Sequence, residues 1–262
     1  MKIPKGTYAI VLCGGWGTLD KKKSKLLEKV SYQKEMIPLC HVPYLILKEE
    51  LGIEETLVVV NGHYGDEIKK TFPTDSYALI QPIRSGTAGA IEICFAAINH
   101  MEANGHPKCK NLIILYGDMP CWQANSIAKL VRSHTKRKAA MSMFSIATKH
   151  KLGYGRILRN SNGNIIAIKE PWQMTAEDLK NTKTENPSAW VLDFEFAKAN
   201  IPHLGWHCKG DGYPKEKWLP DLAAIATVQT RIINEVSLTN YRQAMGVNSI
   251  AEYKKVKKYL ER

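Results

Sequence analysis

Ala9-Ile10-Val11-Leu12-Cys13-Gly14-Gly15-Trp16-Gly17-Thr18 is the stretch on which the fold turns, and Lys34 follows sixteen residues beyond Thr18. An apolar run that stops abruptly at glycines reads as a buried parallel strand delivering its C-terminal end to a tight turn. Glycines there allow positive φ and bring backbone N–H groups within reach of a phosphate chain. Lys21, Lys22, Lys23, Lys25 and Lys34 place positive charge just downstream. The stretch alone leaves alternatives open. No Gly-Lys-Ser/Thr closes it as a Walker loop. As a dinucleotide fingerprint it lacks the third glycine and an acidic residue about 20 positions on. A purely structural strand-end turn is the remaining alternative.

Outward from this strand, apolar runs recur at 56–60, 77–80, 112–115, 140–146 and 165–168, and helix-like patterns at 44–51, 65–71, 87–101 and 123–133 separate several of them. That alternation predicts βαβ units and a mostly parallel sheet covered on both faces. Ligands of such sheets bind beyond the carboxyl ends of the strands. The candidate site is therefore the polar residues that directly follow each run. They are Cys13 to Thr18, Asn61 to Asp66, Gln81 to Thr87, and Tyr116 to Pro120. A carboxylate at a buried strand's end needs a partner or a metal, which makes Asp118 the metal-ligand candidate, with capping of the next helix as its alternative. His63 at a helix entry, with no second ligand nearby, reads as structural.

Composition narrows the classes. The chain has 262 residues, 44% of them apolar and 24% charged, with a net charge of +12, which allows a full core and favours polyanionic partners. Basic clusters at 132–138 and 254–258 read as solvated surface. With no aromatic stacking platform or recognition-helix motif, a nucleic-acid partner rests on charge alone. No segment approaches the roughly 18 apolar residues of a membrane span. The N-terminus shows no signal-peptide pattern, and the six cysteines show no C-x-x-C pairing. The expectation is a cytoplasmic protein with reduced core cysteines.

Taken together, these residues resemble the sugar-1-phosphate nucleotidyltransferases, and among them the N-terminal uridylyltransferase domain of bacterial N-acetylglucosamine-1-phosphate uridylyltransferases. The likeness runs from Tyr8 to about Asn248. The stretch from Leu12 to Thr18 is similar to L-A-A-G-x-G-T, and Lys34 is assigned the place of the P-K lysine. Gln81 with Gly86-Thr87 resembles Q-x(4)-G-T, and Tyr116-Gly117-Asp118 resembles Y-G-D. Gly153-Tyr154-Gly155-Arg156-Ile157 repeats G-Y-G-R-I. Glu170 stands as in I-x-E, Asn186 as in E-x-N-T-G, Trp218-Leu219-Pro220-Asp221 as in Y-x-T-D, and Gly246-Val247-Asn248 as G-V-N.

The resemblance implies a Rossmann-like three-layer α/β fold with a mixed, mostly parallel central sheet. It implies one nucleotidyltransferase domain over 1–262, with a C-terminal helix at about 249–262. The reaction implied is attack of an N-acetylglucosamine-1-phosphate oxygen on the α-phosphorus of UTP, giving UDP-N-acetylglucosamine and pyrophosphate. Mg2+ would be held by Asp118 and Asn248, and Lys34 and Asp118 are the catalytic pair. Leu12, Cys13, Gly14, Gly15, Gly17, Thr18, Gln81, Gly86 and Thr87 would bind the nucleotide, and Tyr116, Gly155, Glu170 and Asn186 the sugar.

Departures bear on activity and substrate. Leu19 stands where the family's arginine contacts the β- and γ-phosphates, and a leucine offers no guanidinium fork. Lys21 or Lys22 is the candidate replacement. Glu185-Asn186-Pro187-Ser188-Ala189 differs from E-x-N-T-G, leaving glucose-1-phosphate as an alternative sugar; Gln81 fits cytosine once its amide flips, leaving CTP, and Leu19 leaves a nucleotide-sugar-binding protein without turnover. The chain ends at Arg262 without the hexapeptide-repeat β-helix that carries acetyltransferase activity, so a stand-alone uridylyltransferase is expected.

Overall fold

The computed structural model describes residues 2–19, 23–74, 76–150, 152–208, 210 and 212–261. Lys21 and Lys22 lie outside them. The first strand, β1 (Thr7–Cys13), is buried at every position. Its alternate residues enter two different cores: Ala9, Val11 and Cys13 face one, Tyr8, Ile10 and Leu12 the other. A strand with helices on both faces needs such a continuous apolar run, because neither side meets water.

β2 (Lys29–Tyr32) and β3 (Glu35–Pro38) form a separate hairpin. β4 (Thr56–Asn61), β5 (Tyr77–Gln81) and β6 (Asn111–Tyr116) join β1 in the order β5-β4-β1-β6, all parallel. The rest of the sheet is mostly antiparallel. β7 (Met141–Ala147), β8 (Gly155–Arg159), β9 (Ile165–Lys169), β10 (Thr184–Asn186) and β11 (Trp190–Asp193) extend it in the order β6-β11-β7-β10-β8-β9. β12 (Ile233–Ser237) runs parallel to β7. Among the described residues, ten strands thus form one mixed sheet.

One face is covered by α1 (His41–Leu45, continued by a π turn through Glu50), α2 (Gly65–Lys69), α5 (Ala124–Arg137) and α9 (Ile250–Leu260). The other carries α3 (Gly86–Glu92), α4 (Cys94–Ala103), α7 (Phe194–Asn200) and α8 (Leu222–Val228). The short α6 (Ala176–Asn181) buries no residue. This is the expected three-layer α/β architecture. The helix expected over 87–101 is divided at Ile93 into α3 and α4. No described helix is long and apolar enough to cross a membrane. All six cysteines are free; five are buried and Cys208 is exposed.

Candidate active site

The carboxyl ends of β1, β5 and β6 open into a cleft of about 690 Å³, its mouth and the solvent within it included. Gly14 and Gly15 line it directly after β1, and Leu12 forms its floor. The Cys13 side chain points the other way, into the core beside Cys40, where a thiol–thiol hydrogen bond and burial push its pKa well up. Thr18 bridges Ser24, and Lys25 N–H donates to Gly17 O at 3.0 Å. Ser24 then caps a single 3-10 turn, Lys25–Leu27. The Lys25 stem passes close to Gly17, where a Cβ would lie 3.0 Å from Cε and press on the lysine side chain. Leu19 packs against the core.

Lys25 ends at the centre of the site. Its side chain is 8% exposed, and its ammonium donates to Asp118 Oδ2 at 2.6 Å and Asn248 Oδ1 at 2.7 Å. A buried ammonium demands such partners. Asp118 follows β6 and caps no helix; the cap position of α5 is Gln123. Asn248 arrives from the far end of the sequence. Val247 N–H donates to Asp118 O at 2.9 Å, and Asn248 N–H donates to Glu252 Oε2 at 2.8 Å in the first turn of α9. Two oxygens 93 to 223 residues from Lys25 therefore converge on one cation. No group of three or more His, Cys, Asp or Glu gathers for a metal among the described residues. A carboxylate with one amide oxygen nevertheless fits a hard divalent ion that takes its remaining ligands from phosphates and water.

Lys34 is not at this site, contrary to the expectation. With Gln33 it forms the two-residue turn of the β2–β3 hairpin, both residues at positive φ (50° and 71°), and it is exposed. Tyr32 pairing with Glu35 leaves Lys34 at the hairpin tip, and it does not line the cleft. Lys25 holds the place assigned to it.

The opposite wall comes from the β5–α3 connection. Gln81, Arg84, Gly86, Thr87 and Ala90 all line the cleft. Gly86 adopts φ +81°, and a Cβ there would meet Lys217 O at 2.4 Å, so position 86 tolerates no side chain. Thr87 Oγ1 accepts from Leu219 N–H at 3.0 Å, fixing the 216–219 segment to this wall. Arg84 pairs through Nε with Glu216 at 2.5 Å and lies 5.9 Å from the Trp16 ring centroid. Its terminal amino groups bond nothing else among the described residues.

Tyr116 lines the cleft beside Asp118, and burial, followed by the Glu170 carboxylate, pushes its phenol pKa up. Gly155 faces Asn186 across β8 and β10, and a Cβ on Gly155 would stand 3.4 Å from Glu170 Oε1. The structure thus groups Tyr116, Glu170, Gly155 and Asn186, but only Tyr116 lines the cleft itself. The Asn186 amide donates to Phe144 O at 3.2 Å and accepts from Ser188 N–H at 3.2 Å. Its role in the folded chain is to hold two backbone groups. Nearby, His207 stacks on Trp218 with centroids 4.1 Å apart and bonds Asp221 Oδ2 at 2.6 Å. Burial raises the Asp221 carboxyl pKa against the lowering effect of His207.

The cleft also contains Glu216, to which sequence reasoning gave no role, and it singles out Lys25 and Arg84, which that reasoning placed only among the lysines after the turn and within the 81–87 segment. For Lys25 a signal existed. Ser24-Lys25-Leu26-Leu27 closes the lysine run with apolar residues, the mark of a lysine entering the core. Arg84 and Glu216 carry no such mark, because they meet only through tertiary contact. A glycine turn, two cations and a carboxylate–amide pair form an arrangement able to bind a polyphosphate together with a metal ion.

The family model described as nucleotidyl transferase matches residues 8–183. The chain belongs to this family and, with its relatives, to the sugar-1-phosphate nucleotidyltransferases. It is 28% identical over 97% of its length to the bifunctional protein GlmU of Alkaliphilus metalliredigens, and 30% identical over 92% to that of Staphylococcus saprophyticus. It spans about half the length of these curated relatives, 52% and 50%. Among solved structures, a glucose-1-phosphate thymidylyltransferase of Bacillus anthracis superposes with TM-score 0.68 at 15% identity, over 97% of this chain and 95% of that one. A CMP:2-keto-3-deoxy-manno-octonic acid synthetase holding CTP gives 0.62 at 13%, over 98% and 99%. These two share the fold.

Proposed function

We propose that this chain condenses UTP with N-acetylglucosamine-1-phosphate, releasing pyrophosphate and leaving UDP-N-acetylglucosamine. The observation that carries the reading is the convergence of Asp118 and Asn248 oxygens on the Lys25 ammonium beside the glycine turn. In the reaction a phosphate oxygen of the sugar forms a bond to the α-phosphorus. The α–β bridging bond breaks, and its electron pair leaves with pyrophosphate. The nucleophile is already ionised at neutral pH, so the protein needs no general base. What it must do is bring two anions together and hold the charge that spreads over the transferring group.

The residues divide this work. Backbone N–H groups of the 14–18 turn bind the triphosphate, while Lys25 and Arg84 face it from two sides. Asp118 and Asn248 would hold Mg2+, which supplies charge neutralisation shared by the two substrates' phosphates. Gln81 and Gly86 take the base, and Tyr116 and Glu170 face the sugar. Pyrophosphate release, measured with four nucleoside triphosphates against N-acetylglucosamine-1-phosphate and glucose-1-phosphate, tests the reading. UTP with N-acetylglucosamine-1-phosphate should turn over fastest, and EDTA should abolish it. Full activity in EDTA would rule the reading out.

One observation favours a second reading, a nucleotide-sugar-binding protein without turnover: Leu19, half-buried, packs against the core and gives the turn no cation. Calorimetric binding of UDP-sugar beside no pyrophosphate release would establish it.

A further inference from the structure

Asp118 and Asn248 are fixed to each other without help from Lys25. Val247 N–H donates to Asp118 O at 2.9 Å, and Asn248 N–H donates to Glu252 Oε2 at 2.8 Å. Ser249 Oγ, which caps α9, donates to the same carboxylate oxygen at 3.0 Å. The Lys25 ammonium enters the gap between the two side-chain oxygens, 2.6 Å from Asp118 Oδ2 and 2.7 Å from Asn248 Oδ1, with its side chain 8% exposed. An ion bridging those oxygens needs the lone pairs directed into this gap, and the ammonium holds them. Mg2+ binds oxygen at about 2.0–2.1 Å and gives up its water reluctantly, so a gap that already holds positive charge attracts it weakly. Lys25 also has somewhere to go. It lines the cleft with Gly14 and Gly15, and its stem runs beside Gly17, where the missing side chain leaves the methylenes room to shift.

We propose that Lys25 and a divalent cation exclude each other at Asp118 and Asn248, so that the cation enters only as the ammonium moves out into the cleft. The inference rests on these two side chains being the metal ligands, as in the proposed function, and adds what governs their occupancy. A polyphosphate offers the ammonium a second anionic partner. Metal alone is therefore held off, and metal arriving with a phosphate chain is admitted. Lys25 then turns from the ligand pair to the phosphates. One side chain thus ties entry of the cation to arrival of the nucleotide.

Titration with Mn2+ alone, followed through the paramagnetic resonance of the free ion, tests this on the intact chain without turnover. Lys25→Met keeps most of the stem and removes the charge. It should bind Mn2+ at least about tenfold more tightly than the wild type, because no second cation competes for the pair. Adding Asp118→Asn to Lys25→Met should remove that gain. Equal affinity in wild type and Lys25→Met overturns the exclusion and leaves the metal ligands standing. No measurable binding in either removes Asp118 and Asn248 as a metal site, and the exclusion with them. A gain that survives Asp118→Asn puts the ion elsewhere and overturns it as well. A second measurement needs no variant, so it stands if Lys25→Met fails to fold. Acetic anhydride labelling of the wild-type protein, read by mass spectrometry, should modify Lys25 severalfold faster in excess Mn2+; an unchanged rate overturns the proposal. Pyrophosphate release is assayed separately. Exclusion without turnover would refute the enzyme reading and leave the cation exchange in place.

Discussion

The parallel half of the sheet, β5-β4-β1-β6, and the antiparallel half from β11 to β9 use their polar residues in opposite ways. At the carboxyl ends of the parallel strands, Gln81, the Arg84 amino groups and the Lys25–Asp118–Asn248 cluster face the cleft. In the antiparallel half, comparable groups are tied to the fold. Glu185 is fully buried against Arg156 at 2.7 Å, Asn186 binds two backbone groups, and Ser142 of β7 is bonded by both His134 of α5 and Asn234 of the neighbouring β12. The lesson is positional. Parallel strands all end on the same side, so their following loops converge and bring polar groups to one cleft. Antiparallel neighbours end on opposite sides, so their polar residues do not gather at one end of the sheet.

The comparison breaks if substitutions in the parallel half change only stability, or those in the antiparallel half only turnover. The largest effect is expected at the cation cluster. Asp118→Ala and Lys25→Ala should each lower kcat/KM for pyrophosphate release by about 10³, or about 4 kcal/mol, and Asp118→Ala should also lower the thermal midpoint, because it leaves the buried ammonium with one partner fewer. Steady-state kinetics beside a melting curve checks both.

Next comes His134, in the antiparallel half. Burial lowers its pKa from 6.5 to about 4. Asn234 Nδ2 donates to Ser142 Oγ at 3.1 Å, so the hydroxyl proton is free to go to His134 Nδ1 at 2.8 Å, keeping the ring neutral. The unfolded chain takes up a proton before the folded one does. Stability is therefore intact above about pH 6.5 and falls as pH drops toward 4, by about 3 kcal/mol in total. Denaturant titrations of wild type and His134→Gln at pH 7 and 4.5 should show this loss in the wild type alone.

Asn186→Ala should cost about 1–3 kcal/mol of stability by orphaning two backbone groups, while KM for the sugar phosphate stays within about threefold. A KM increase of more than about tenfold at unchanged stability would restore Asn186 as a sugar ligand. Arg84→Ala should raise KM for the nucleotide about tenfold, worth about 1.4 kcal/mol, through loss of a charge-assisted contact. The smallest effect is expected at Lys34: Lys34→Ala, at an exposed hairpin tip, should leave kcat/KM within about twofold.

Legibility followed the same division. Strands β1, β4 and β6 could be read from apolar runs because burial on both faces favours apolar residues throughout, and β5 and most of β7 from their apolar content, although β5 is partly exposed and β7 buries Ser142 and Ser145. The three-residue β10, the four-residue β11 and the β2–β3 hairpin could not, since strands this short carry too few alternations to show a period. Motif spacing brought out Gln81, Tyr116, Asp118 and Asn248. It failed at the lysine, because several lysines follow the turn and spacing cannot rank them. The bridge between Thr18 and Ser24, which sets Lys25 beside Gly17, is what selects Lys25.

By itself, then, the sequence determined the three-layer class, the glycine turn at the end of β1 and the residues that follow each parallel strand. These are local consequences of apolar patterning and of glycine's freedom from a Cβ. Only the tertiary structure decided which ammonium meets Asp118 and that Arg84 reaches Glu216. Each depends on two or more chain segments arriving at one point, and separation along the chain does not encode that meeting.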